Sequence, residues 1–228
     1  MRSSVSRTLT ALLSGRLVAG PRIEDAVRVA GELLNDGRRV ALEHTPAPGD
    51  DVAAELAALI GAIHAAGLAG GCELTLPAGQ SGLAATAAEA GLRVAAVRAV
   101  EIPGTTVIVP AAESDAEARC RAYSSGRVRL VQGSGTTAAL AFVRCLNVLM
   151  AGDGHPEIAA SDRRLIAIAG ERAAWNGRSP DSWEHVMPFR VLIDEQHRLV
   201  AGGYAVRVAV PSGGGAAALV ARRLGRRA

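Results

Sequence analysis

Short β-branched runs recur along the chain, and each gives way to an alanine-rich stretch with helical spacing of its apolar positions. The runs are RVALEH (39–44), CELTLP (72–77), RVAAV (93–97), TVIVP (106–110), VRLVQ (128–132), EIAAS (157–161), EHVMP (184–188) and VRVAV (206–210). Several are apolar with little alternation, the pattern of parallel strands covered on both faces. Between them, Ile23–Leu34 has apolar positions at Val27, Val29 and Leu33/Leu34, and Leu140, Val143, Leu146 and Met150 line one face at helical spacing. Asp162 stands where it can cap RRLIAIAGERAA, and Gly91, Gly126 and Gly202/Gly203 close other units. Strands alternating with helices in this number predict a closed α/β barrel of the (β/α)8, TIM type, with a doubly wound open sheet as the alternative. One unit is short. Only VRAVEIPG separates the third and fourth runs, too little for an ordinary parallel crossover, so a shortened third β/α unit is expected between Val97 and Thr106.

Length and composition narrow the picture. A chain of 228 residues, 49% hydrophobic, supports one good core and excludes a disordered protein, so residues 1–228 are expected to form a single barrel domain. Its first 20 residues, basic and without acids, read as a leading helix or tail. At 3% aromatics the chain is poor in platforms for stacking bases, and its net charge of +3 is concentrated partly in Arg222, Arg223, Arg226 and Arg227; no nucleic-acid partner is expected. No apolar stretch is long enough to cross a bilayer. Cys72, Cys120 and Cys145 are odd in number and widely spaced, which suits neither a disulfide framework nor a metal site and fits a cytoplasmic location.

Candidate chemistry belongs at the C-terminal ends of the strands. Gln132-Gly133-Ser134-Gly135-Thr136-Thr137 runs from a strand through glycines into a helix, where free amides and the helix dipole suit an anion; the alternative is a tight turn with Thr136 as N-cap. Pro211-Ser212-Gly213-Gly214-Gly215 follows the last strand, and the helix after it carries Arg222 and Arg223, two guanidinium forks suited to a carboxylate or to a solvated helix end. Glu43 and His44 end the first strand within reach of proton chemistry. His44, His64, His155, His185 and His197 show no metal-ligand spacing, and His44 and His185 read as satisfied core or rim histidines. Trp175 and Trp183 read as packing residues.

The order of several segments resembles the proline dehydrogenase family. VRLVQGSG (128–135) is similar to that family's arginine-bearing strand. FVRCLNVLM leads to GHPEIAASDRRLI, then come NGRSPDSWEHVMPFRV, DEQHRLVAGGYAVRVAVPSG and ARRLGRRA, in the family's order; LVAGPRIEDAVRVAGELLNDGRRVALEHT resembles its first helix and strand. The resemblance implies an FAD-dependent oxidoreductase of proline catabolism, a barrel that oxidises proline through a flavin. It implies flavin-contacting roles for Arg129, Gln132, Gly133, Ser161 and Glu184, and a substrate carboxylate held by Arg222 and Arg223. Many of these positions depart from the family's pattern. Gln132 stands for a lysine, Gly135 for a tyrosine, Ser161 for a histidine, Ser212 for a tyrosine and Arg226 for a glutamate. Thr75, Val97 and Val109 stand for a lysine, an aspartate and a glutamine. Several lost polar contacts, each contributing about 0.5–1.5 kcal/mol, predict FAD binding that is weak or absent. The expected function is therefore a degraded, carboxylate-binding or accessory barrel whose ligand is a small carboxylate or an amino acid such as proline. An active flavoenzyme on proline or a related amino acid, and a barrel binding a phosphorylated ligand at its glycine-rich loops, are the alternatives.

Overall fold

The computed structural model describes residues 15–97 and 102–225. Eight parallel strands close into one barrel in sequence order, the last pairing with the first. They are β1 (Arg39–His44), β2 (Cys72–Leu76), β3 (Arg93–Ala96), β4 (Thr106–Pro110), β5 (Arg127–Val131), β6 (His155–Ala159), β7 (Glu184–Pro188) and β8 (Ala205–Ser212). The helices are α1 (Ile23–Asn35), α2 (Val52–Ala65), α3 (Leu83–Glu89), α4 (Ala116–Ala122), α5 (Thr136–Ala151), α6 (Arg163–Trp175), α7 (Ile193–Ala201) and α8 (Ala216–Gly225). All eight expected runs are strands. β6 begins two residues earlier than expected, because His155 and Pro156 already pair with Arg127 and Val128. In the short unit, Ile102–Thr105 is turn; the rest of that expectation, and the leading segment up to residue 14, lie outside the described residues.

Local chemistry sets the helix starts. Asp51 accepts from the amides of Ala53 and Ala54 at the start of α2, and Asp162 accepts from that of Arg164 at 2.8 Å at the start of α6. At α5 the cap is Gly135, with φ +82°, and not Thr136, which is already helical; the turn needs a left-handed residue there. The far end of α5 is closed by a side chain from another unit. Arg178 donates to the carbonyls of Leu149, Met150, Gly152, Gly154 and Ser182. Replacing it with alanine strands several acceptors at once, so Arg178→Ala is expected to lower stability by about 2–3 kcal/mol in urea unfolding, with no change in ligand affinity at the mouth.

The apolar core is not inside the barrel. Val40, Leu42, Leu74, Val94, Val208 and Val210 point outward against α1–α3, and Val107, Val109, Val128, Leu130, Ile158 and Met187 pack with the helices that follow β4. The barrel interior is ionic. Arg129 of β5 crosses to Glu73 of β2, Thr106 of β4 reaches Glu73 and Glu157, and Arg93 of β3 reaches Glu184 of β7. Arg39, Arg127, Arg207 and His155 also pair with Glu184. Strands with one face on helices and the other on this network read as apolar runs interrupted by single charges, which is why the sequence shows little clean alternation.

Candidate functional site

A cavity of about 340 Å³ opens at the C-terminal end of the barrel, at the lower end of the size range of small-molecule sites. Its walls are contributed by β1 and β5–β8 and by α8; apolar groups from Val131, Val186, Met187, Phe189 and Val220 dominate them. Leu17 reaches the rim because the segment before α1 is tied to the end of β8: Ala19 N–H donates to Pro211 O at 2.8 Å and Gly213 N–H to Gly20 O at 3.0 Å.

Three charged side chains face this cavity. Arg129, 3% exposed, lies on the ion network of the barrel interior: Nε donates to Glu157 at 2.9 Å, and Nη2 is shared between Glu157 and Glu73. Its Nη1 is buried and has no partner. Burial opposes its charge, but Glu73 and Glu157 more than restore it, so the guanidinium is held above its ordinary value and is always cationic. Glu43, at the end of β1, accepts from Arg223 Nη1 at 2.7 Å, and both line the cavity. An unsatisfied donor, a carboxylate and a second guanidinium thus converge on one apolar chamber.

The interior carboxylates set the charge on Arg129. Burial pushes the Glu73 carboxyl up, further than Arg129 and Arg93 can draw it down while Glu157 adds its own repulsion. Burial also opposes ionisation of Glu157, but there Arg129, Arg127 and Arg93 prevail and hold it below the usual range. If the base of the barrel carries a carboxyl proton, it sits on Glu73.

The structure brings together only some of the residues the sequence singles out. Arg129, Gln132, Ser161 and Arg223 all line the cavity. Arg222 is exposed and is not part of the lining, because adjacent helical positions point about 100° apart. Arg226 lies outside the described residues. Gly133 is a packing position: a β-carbon there would sit 2.7 Å from Ala138 Cβ and 3.1 Å from Ala112 Cβ. Glu184 is the first residue of β7, at the opposite end of the barrel from the mouth. Gln132 is committed as well, since its side-chain oxygen accepts from the amides of Ser161 (3.0 Å) and Asp162 (3.3 Å) at the start of α6.

The glycine-rich turn after β8 spends its amides on structure. Gly213, with φ +96°, donates to Gly20 O and abuts Thr45 O, while Gly215 donates to Thr45 O at 2.9 Å. His44 is satisfied, as expected: Nδ1 meets Ser212 Oγ at 2.9 Å and Nε2 meets Glu55 at 2.8 Å. Sequence reasoning left Glu43 without a partner; its position one residue before the strand end was the signal, and Arg223, 180 residues away, could not be paired with it from spacing. Among the described residues there is no group of three or more potential metal ligands, and no helix is long and apolar enough to cross a membrane. The three cysteines are free and buried.

No family model matches the sequence, and no curated protein matches it. Solved structures do match the fold. Proline utilization A from Bdellovibrio bacteriovorus, inactivated by N-propargylglycine, superposes with a TM-score of 0.82 at 12% identity, over 96% of this chain and 33% of that one. The proteins of the same name from Corynebacterium freiburgense (TM-score 0.67, 11% identity, 97% and 31% of the two chains) and Bradyrhizobium japonicum (0.66, 16%, 93% and 30%) agree. The chain spans about one third of the length of those proteins. Order of strands, closure and near-complete superposition together give this chain the proline-dehydrogenase-like (β/α)8 barrel fold of proline utilization A.

Proposed function

We propose that the barrel mouth binds a small organic carboxylate, such as an amino acid with a compact apolar side chain, and that it has lost flavin chemistry. The observation that carries this reading is Arg129 on the cavity wall, a buried guanidinium whose Nη1 has no partner. A buried cationic donor left unmade costs about 1–3 kcal/mol or more, and a ligand carboxylate relieves it. Arg223 supplies a second donor from α8, and Glu43 between them suits an ammonium group. Val186, Phe189 and Val220 would cover an aliphatic body. Proline has this chemistry, and so do other small amino acids.

The flavin dinucleotide implied by the resemblance does not fit these residues well. A chamber of about 340 Å³ suits a small molecule, not a dinucleotide. Gln132 spends its oxygen on the first turn of α6, and Ser161 offers only a short hydroxyl where the family has a ring. The protein's own residues therefore support binding and orientation, with no redox step assigned to them.

The experiment is a calorimetric titration with proline, a simple aliphatic carboxylate and phosphate. Proline or the carboxylate is expected to bind, and Arg223→Ala is expected to weaken that binding roughly ten- to hundredfold, the value of one charge-assisted contact. Arg222→Ala should leave affinity unchanged. Equal binding by wild type and Arg223→Ala would remove the mouth as the site. Stoichiometric FAD carried through gel filtration would refute the loss of flavin. The reading of the glycine-rich loops as a phosphate site has less support, since two of the amides after β8 are already bonded.

A further inference from the structure

At the opposite, N-terminal end of the barrel, the ion network carries more cations than its carboxylates can satisfy. Five guanidiniums (Arg39, Arg93, Arg127, Arg129 and Arg207) face three carboxylates (Glu73, Glu157 and Glu184). The excess gathers at one atom. Oε1 of Glu184 is approached by Arg39 Nη1 at 2.6 Å, His155 Nε2 at 3.2 Å, Arg93 Nη2 at 3.3 Å and Arg127 Nη2 at 3.3 Å. A carboxylate oxygen offers two lone pairs, so four donor groups cannot all be well served there. Glu184 Oε2 already accepts from Arg207 Nε at 2.9 Å. Arg127 Nε is buried and has no partner at all.

The oversubscribed donors also reach solvent. The side chains of Arg39, Arg93, His155 and Arg127 are 45%, 31%, 23% and 18% exposed, whereas Arg207, Glu73, Glu157 and Glu184 are buried. The buried members form a floor, and the partly exposed ones a ring above it. Strands β1, β3, β5 and β6 each contribute one member, all at their first residue, so the ring is built on rigid elements.

We propose that this ring is a second ligand site, which binds a phosphate oxyanion, either free or as the head of a phosphate ester. The forks of Arg39, Arg93 and Arg127 suit an oxyanion that accepts on several oxygens, and its charge offsets the surplus of guanidiniums. The site is independent of the mouth: none of its residues lines that cavity.

The test titrates the full chain with inorganic phosphate and with glycerol phosphate at constant ionic strength set by chloride, followed by calorimetry and by thermal unfolding. Saturable binding of either ligand is expected, with Tm raised by roughly 3–6 °C at ten times Kd. The tighter of the two ligands tells a free ion from an ester. Arg39→Gln, a change at a half-exposed side chain that leaves the floor intact, should weaken binding at least tenfold, as should Arg93→Gln. Arg223→Ala at the mouth should leave it unchanged. The proposal is overturned if phosphate does no more than chloride, if Arg39→Gln binds as wild type does, or if Arg223→Ala abolishes the response. Calorimetry on wild type alone decides the first point, so the outcome does not depend on how well the variants fold.

Discussion

Glu184→Gln is expected to lose about 3 kcal/mol of folding stability at neutral pH and to lose with it the steepest part of the protein's acid sensitivity. Burial by itself would raise the Glu184 carboxyl, but the hydrogen bond from His155 and the charges of Arg93, Arg39 and Arg127 outweigh it and hold it at about 2, against an ordinary 4.5. A carboxylate depressed in the folded state stabilises fully above its unfolded value. That contribution disappears as pH falls from about 4.5 towards 2. Glutamine mimics the protonated form at every pH, so the variant has the deficit from the start. Urea unfolding of both proteins from pH 7 to pH 2 should show a gap near 3 kcal/mol that closes below pH 4.5. Equal stability at pH 7 would mean that the cations around Glu184 are served by water instead.

A second acid limb should be common to both proteins. Burial pushes His185 down to about 4 from 6.5, so the folded state keeps it neutral while the unfolded chain takes up a proton. Stability is complete above about pH 6.5 and falls as the pH drops through the window to 4. His185 points out of the barrel, where its ring lies 4.3 Å from that of Trp183 and 5.9 Å from that of Tyr204.

Trp183→Ala is expected to cost about 3–5 kcal/mol, among the largest effects of any single change in the chain. Trp183 is 1% exposed and packs on both His185 and Tyr204. It belongs to the outer apolar core, so the cavity left by alanine opens between the barrel and its helices. Trp183→Phe should cost much less than alanine. It keeps most of the ring volume and removes the indole Nε1, a buried donor that has no partner. Guanidinium or urea unfolding of the three proteins separates the effects. The variants retain Trp175, 83% exposed, as the remaining fluorophore. Should phenylalanine prove as harmful as alanine, the indole N–H is bonded after all, and the packing argument fails.

The barrel was legible in the sequence because apolar strand runs alternate with helical stretches along the chain; Asp162 does in the structure what its place before an apolar run implies. The starts of β6 and α5 were less so. Pro156 disguises a strand that begins at His155, and Gly135 takes the cap position because the turn requires a positive φ, which a reading of side-chain oxygens overlooks. The candidate site was half legible. Arg129 and Arg223 lie on a strand and a helix that the sequence marks out, but their partners Glu73, Glu157 and Glu43 lie on other strands, and no local pattern pairs them. The position of Glu184 was readable: it opens its strand, and the first residue of a barrel strand lies away from the mouth.

The ionic interior also acts as a key for strand alignment. A slip of one residue in β5 would turn Arg127 and Arg129 outward against Phe142 and Leu146, and would bring Val128 and Leu130 in among carboxylates. Each displaced guanidinium would lie unpaired in hydrocarbon, at a cost of several kcal/mol. Purely aliphatic strands would tolerate such a slip far better, since one valine replaces another with little loss. The alternation of charge and hydrocarbon thus spells out a single arrangement of the staves, and mispaired barrels are penalised at every strand that bears an arginine or a glutamate.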